Sequence, residues 1–174
     1  PGNNSQQFFH DWLSYGTGGT CWSVSHALHD LLNALGFNAK RGTATMLTSP
    51  TVQGPNHGTV IVTLDDCSYL VDGSMLTERP LPLRDGSGNT KHPASQIPVK
   101  KRDGSWQFYW HPLHRLEGIW CRLDQVGVPS SSYEHYYEST RPWSPFNFFL
   151  YVRINTQAHI AGVVANKRIS LTAE

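Results

Sequence analysis

The chain has 174 residues, 39% apolar and 11% aromatic, with 16% charged residues and a net charge of +1. That is enough apolar material for one packed domain, and the charge balance excludes a protein that wraps a polyanion. No apolar run approaches the roughly 20 residues needed to cross a bilayer, so neither nucleic acid nor membrane is expected as a partner.

Three cysteines, Cys21, Cys67 and Cys121, do not describe a disulfide framework. A Cys67–Cys121 bridge would still leave Cys21 free. The simpler reading is a reducing compartment, the cytoplasm. The opening residues, PGNNSQQFFHDW, lack the basic and apolar parts of a signal peptide.

The first predicted element lies in YGTGGTCWSVSHALHDLLNALGF, Tyr15 to Phe37. Val24, Leu28, Leu31, Leu32 and Leu35 recur at helical spacing, with Thr20 placed to cap the start and Gly36 to stop it. A helix is predicted over 21–35, and Cys21 opens it. Unpaired backbone N–H groups and the macrodipole favour negative charge at a helix start, and with it the thiolate form of a cysteine. Gly18 and Gly19 leave room for a substrate to come close to the backbone. His26 and His29 share a helical spacing, but no acidic or cysteine ligand completes a zinc set. His111 and His114 are split by Pro112. Hydrogen-bonded or solvated histidines are expected in both pairs, and no metal site.

Arg41 to Leu47 reads as a strand. HGTVIVTL, starting at His57, reads as a second, and YLVDG, ending at Asp72 and Gly73, as its hairpin partner across DDCS. His57 and Asp72 are fifteen residues apart with the turn near the middle, so antiparallel pairing brings them to the same end of the hairpin within a few residues. A carboxylate beside an imidazole fixes its tautomer and supports its protonated form, which in turn stabilises a thiolate. Cys21, His57 and Asp72 therefore form a nucleophile, base and orienter set on helix, strand and strand.

Pro80 to Pro98 is rich in Pro, Gly, Ser and charge and reads as a loop. IPVKK, SWQFYWHPL and LEGIWCRL follow as short β-prone runs, the pattern of an antiparallel sheet or small barrel. Trp106, Tyr109, Trp110 and Trp120 are expected in its core, and Lys100, Lys101 and Arg102 at a solvated strand end. SSSYEHYYEST reads as a short helix entered through a Ser cap. PFNFFLYVRI, HIAGVVAN and KRISLTA read as three more strands. The order of one helix, many strands, one short helix and more strands predicts an α+β class; with the resemblance given next, it implies a helix carrying the cysteine, packed on an antiparallel β-barrel, then a small α/β lid. The boundaries fall at 1–36, 37–125 and 126–174.

This arrangement resembles the arylamine N-acetyltransferase family. Its Arg-Gly-Gly-x-Cys signature is matched by Gly18, Gly19 and Cys21, its histidine by His57, and its Asp-Val-Gly-Phe by Asp72 onward. Its later Ser-Thr-x-Pro-x-Ser-x-Phe run is matched by STRPWSPF, ending on Ser144 and Phe146. Thr17 stands for the family Arg, Ser23 for Glu, Ser25 for Asn, and Gly73-Ser74-Met75 for Val-Gly-Phe. Only 20 residues precede Cys21, so most of the family's N-terminal helical bundle is absent from this sequence.

The resemblance implies Cys21, His57 and Asp72 as catalytic residues, with Trp22, Gly18, Gly19, Gly73, Ser74, Ser144 and Phe146 at the substrate. It implies acyl transfer from acetyl-CoA or another acyl-CoA, or a carrier-bound acyl donor, to a small-molecule amine, with no tightly bound cofactor. Two rivals remain at this point: a transglutaminase-like cysteine amidase or peptidase, and a non-catalytic binding relative.

Overall fold

Ser5–Tyr15 forms helix α1, which sequence periodicity did not disclose. Asn4 starts it by accepting a hydrogen bond from the Gln7 N–H, and Gly16, at φ 65°, ends it. The computed structural model of the chain describes residues 4–77, 79–87, 97–115, 117–156 and 159–172. Much of the loop predicted after Pro80, residues 88–96, lies outside the described residues.

Helix α2 runs over Cys21–Ala34 and stops where Gly36 takes φ 87°. Thr20 holds the capping position with extended backbone, but its side chain makes no cap bond and its buried Oγ1 has no partner. The buried face also differs from the leucine stripe. Trp22, Ser23, Ser25, His26 and Ala27 are buried, whereas Leu31 and Leu35 are 40% and 65% exposed. The first half of α2 is pressed into the molecule, and the second half rises away from it. Leu28 and Leu32 complete a small cluster with Ala39, Val60 and Val62.

Seven antiparallel strands follow: β1 Asn38–Met46, β2 His57–Leu64, β3 Cys67–Val71, β4 Leu81–Pro82, β5 Val99–Arg102, β6 Ser105–Trp110 and β7 Ile119–Val126. Their order in the sheet is β4-β3-β2-β1-β7-β6-β5. Leu81 of β4 and Val99 of β5, at opposite ends of that order, share one core with Ile61, Leu70, Met75, Phe108 and Leu123. The Val99 N–H donates to Ser87 O, so the segment after β4 also bonds to β5. The sheet is thus curled into a nearly closed barrel. Strand alternation splits β2 cleanly: Ile61 faces the barrel interior, while Val60 and Val62 receive α2.

The same alternation divides the aromatic cluster expected in the core. Trp110 is buried in the barrel, but Tyr109 and Trp120 pair across β6 and β7 on the other face, with Lys100 Nζ 3.6 Å above the Trp120 ring. Helix α3, Ser130–Thr140, is capped by Pro129 rather than by a serine. Two short 3-10 turns, Arg141–Trp143 and Pro145–Asn147, lead to a separate sheet ordered β10-β9-β8: β8 Tyr151–Asn155, β9 His159–Val164 and β10 Lys167–Thr172. The strand expected from Pro145 begins only at Tyr151, because its first residues form the second turn. Among the described residues no helix is long and apolar enough to cross a membrane.

Candidate active site

The hairpin of β2 and β3 sets the first contact. Its paired residues end at Val60 and Val71, so continuing the register places Asp72 opposite Thr59. His57 is then the diagonal neighbour of Asp72 on the same face of the sheet, a spacing long side chains can span. The structure brings them together: His57 Nε2 and Asp72 Oδ2 are 2.7 Å apart, with side chains 1% and 0% exposed.

Asp72 is held from its other oxygen. Its Oδ1 accepts from the Ser74 N–H at 3.0 Å, the Ser74 hydroxyl at 2.7 Å and the Met75 N–H at 3.0 Å. Burial by itself would raise the Asp72 pKa. The His57 charge and hydrogen bond, with the Ser74 and Met75 donors, overcome it and hold the carboxyl below its ordinary value.

Cys21 closes the set from α2. With Nε2 committed to Asp72, Nδ1 is the imidazole nitrogen left for the Cys21 thiol. Burial would push the His57 pKa down. The Asp72 and Cys21 charges and the hydrogen bonds to both residues reverse this and raise it to about 10. These influences favour the protonated ring, with Asp72 at Nε2 and Cys21 as its second partner.

Two other titratable groups face this centre. Burial, and then the charges of Asp72, Asp124 and Cys21, push the Cys121 thiol well up. Burial, and then the Cys21 and Asp72 charges, do the same to the Tyr133 phenol. Both stay neutral across the ordinary pH range and do not compete with Cys21. All three cysteines are free, Cys67 exposed and Cys121 buried.

The remaining predicted site residues fall into distinct places. Trp22 is 2% exposed, edge-on to Tyr133 at 5.1 Å and stacked on Tyr136 at 5.6 Å. It wedges α2 between β2 and α3 instead of presenting a free face. Gly18 is open, with nothing within 4 Å of where a Cβ would stand. At Gly19 a Cβ would lie 3.0 Å from the Phe8 ring and 3.1 Å from Ser23 Cβ, so its bareness serves the packing of α1 on α2. A Cβ on Gly73 would lie 2.7 Å from Val24 Cγ1, which seats the Asp72 turn against α2. Ser74 touches Asp72. Ser144 precedes the second 3-10 turn, and Phe146 packs on Phe149 and Tyr151 at the start of the last sheet.

Sequence reasoning missed three supports. Ser25 Oγ donates to Gly58 O at 2.8 Å, pinning α2 to β2 one residue from His57. Tyr133 Oη donates to Gly42 O at 2.7 Å and Thr59 O at 2.6 Å, tying α3 to β1 and β2. Asn155 Nδ2 donates to Leu76 O, and Arg153 Nη1 to His111 O at 3.1 Å, so β8 clasps the segment that follows Asp72. All three contacts are long-range and leave no local mark, whereas the bond of Ser74 to Asp72 has a local signal, an Asp followed two residues later by Ser at a turn.

The helical histidine pair is hydrogen-bonded. His29 Nδ1 lies 2.7 Å from Asp30 Oδ1, His26 Nδ1 accepts from Arg41 Nε at 3.1 Å, and Arg41 Nη2 reaches Asp30 at 2.8 Å. Asp30 does stand beside both histidines, but the guanidinium occupies the place of a cation. Among the described residues no group of three or more His, Cys, Asp or Glu is arranged to hold a metal ion.

An N-acetyltransferase family model matches residues 4–168. The fold is shared with solved arylamine N-acetyltransferases. That of Mycobacterium tuberculosis has a TM-score of 0.76 at 18% identity over 97% of this chain and 66% of its own. That of Mycobacterium marinum, solved in complex with CoA, has 0.73 at 19% over 99% and 70%. One from Bacillus cereus, described as having a unique Cys-His-Glu catalytic triad, has 0.73 at 16% over 98% and 74%. The chain thus spans about two thirds of the length of the first of these. No curated protein matches the sequence significantly. With nearly the whole chain matched, from α1 through the barrel to β10, this protein belongs to the arylamine N-acetyltransferase family.

Proposed function

We propose that this chain is an N-acyltransferase that carries an acyl group from a thioester donor, acetyl-CoA or another acyl-CoA, to an amine through an acyl-enzyme on Cys21. The observation that carries this reading is the buried His57 imidazole bonded to Asp72 at Nε2, with Cys21 as its second charge and hydrogen-bond partner. The family and the CoA-bound relative support the donor class.

In the first half-reaction the Cys21 sulfur attacks the thioester carbonyl. The developing oxyanion is met by the backbone N–H of Cys21 at the start of α2. The intermediate collapses as the C–S bond to the donor breaks, and the His57 imidazolium gives its proton to the departing thiolate. His57 is then neutral. In the second half-reaction an amine attacks the acyl-enzyme, His57 takes the amine proton, and the C–S bond to Cys21 breaks to release the amide. Asp72 holds the ring throughout. A thiol nucleophile suits this route because both bonds it makes and breaks are thioesters. Three unpaired cysteines fit a cytoplasmic, reducing setting.

The residues that differ from the family pattern next to the triad, Gly73, Ser74 and Met75, support a donor other than acetyl-CoA. The acceptor is a small amine. Residues 1–36, 37–125 and 126–174 serve as cysteine-bearing segment, barrel and lid in this scheme.

The test is intact-protein and peptide mass spectrometry after mixing the chain with acetyl-CoA and a series of longer acyl-CoAs. An acyl adduct on Cys21, discharged by amines and absent from Cys21→Ala, is the expected result. No adduct with any donor, and iodoacetamide labelling of Cys21 no faster than a free thiol, would overturn the proposal.

A further inference from the structure

Ser74 is bonded to the triad without touching the substrate-bearing atom. Asp72 Oδ1 carries three donors, two of them rigid backbone N–H groups and the third the Ser74 hydroxyl, at 2.7 Å the shortest of the three. Asp72 Oδ2 carries only His57. The two backbone donors suffice to fix the carboxylate's rotation, since they already close a turn on the residues that follow it. The hydroxyl therefore adds something besides orientation. A donor on one carboxylate oxygen draws charge toward it and weakens the other oxygen as an acceptor.

We propose that Ser74 is a positioning residue whose hydroxyl shares the Asp72 charge and so loosens the carboxylate's hold on the His57 proton, which speeds the step in which His57 must accept a proton from the amine. This rests on the acyl-enzyme reading above. In the free enzyme an imidazolium serves the chemistry, because it pairs with the Cys21 sulfur. In the acyl-enzyme that sulfur is uncharged, and only a neutral His57 can act as base. A carboxylate that binds the imidazolium too firmly would stall this second half-reaction. The groups that face the pair are Cys21 from α2, Cys121 from β7 and Tyr133 from α3. The last two stay neutral, so Asp72 is the lasting negative charge against the ring. Asp72 is only 3% exposed, which limits the donors that reach its carboxylate.

The experiment measures the two half-reactions separately, by rapid mixing with whichever acyl-CoA of the acetyl and longer-chain series loads Cys21 fastest and then with an amine, for the native chain, Ser74→Ala and Ser74→Thr across pH 6–11. The His57 imidazole is followed in parallel by NMR titration of each protein. Ser74→Ala is expected to slow discharge of the acyl-enzyme at neutral pH about three- to tenfold. That matches a rise of about half to one unit in the His57 midpoint. Acylation should change less than twofold, and Ser74→Thr should restore the native profile. An equal loss in both half-reactions with an unmoved His57 titration would make Ser74 merely structural, and an unchanged Ser74→Ala would remove its role altogether. The NMR arm keeps the test independent of the proposed function: a native chain that forms no acyl adduct refutes acyl transfer, while a His57 midpoint that ignores Ser74→Ala refutes this inference.

Discussion

His57 Nε2 and Asp72 Oδ2 meet at 2.7 Å inside the molecule, and each is the other's main charge partner. Replacing Asp72 by Asn keeps the shape and removes the charge. The amide no longer supports the imidazolium or the tautomer that turns Nδ1 to Cys21. The expected loss in kcat/KM is about 10³- to 10⁴-fold, with circular dichroism unchanged. Steady-state assay of Asp72→Asn checks it, and activity within tenfold of native would remove Asp72 from the orienting role.

Stability should carry the sign of the His57 shift. The folded value, about 10, lies above the ordinary 6.5. Its contribution is therefore fully present below pH 6.5 and is lost as pH rises through about 10. Asp72, held below its ordinary 3.8, contributes above that pH and ceases to as pH falls further. The melting temperature is expected to decline between pH 6.5 and 10, and a His57→Gln variant to show a shallower decline. Thermal melts of both proteins across that window test this; parallel curves would contradict it.

Gly58 lies under the Trp22 ring. A methyl group there would stand 2.6 Å from Trp22 Cε3 and 3.2 Å from Tyr133 Oη. Gly58→Ala should push the indole outward and with it the first turn of α2. Overpacking of this kind costs about 1–3 kcal/mol. Urea unfolding should show that loss, and iodoacetamide labelling of Cys21 should slow because its sulfur moves relative to His57.

Tyr133 shares one hydroxyl proton between Gly42 O and Thr59 O. Tyr133→Phe keeps the ring against Trp22 and deletes only that donor. The expected destabilisation is about 1–2 kcal/mol, read as a lower urea midpoint at an unchanged slope. A midpoint equal to native would mean that both carbonyls find other donors.

Local patterns carried most of the barrel. HGTVIVTL is β2 residue for residue, and the hairpin spacing put His57 and Asp72 at one end of it because antiparallel geometry leaves little freedom there. Helix α2 was legible from its leucines, yet the residues it buries are Trp22, Ser23, Ser25 and His26, since tertiary contact with β2 and α3 decides which face turns inward. Trp22 drew notice as the neighbour of Cys21, but adjacent helical positions point about 100° apart, and its ring packs against α3. Helix α1 went unread because Phe8 is its one buried residue, too little to make an apolar stripe. Ser74 was placed at the substrate by resemblance, and its bond to Asp72 is visible only once the turn has closed.

The clasp of β8 on Leu76 has a consequence for the order in which the chain is made. Synthesis delivers Cys21, then His57, then Asp72, long before Asn155 emerges. A nascent polypeptide halted at the end of the barrel would hold every reacting group and still lack the strap that steadies the carboxylate's turn. One tether of that turn therefore comes from the last sheet, although the three side chains of the site lie wholly upstream of it.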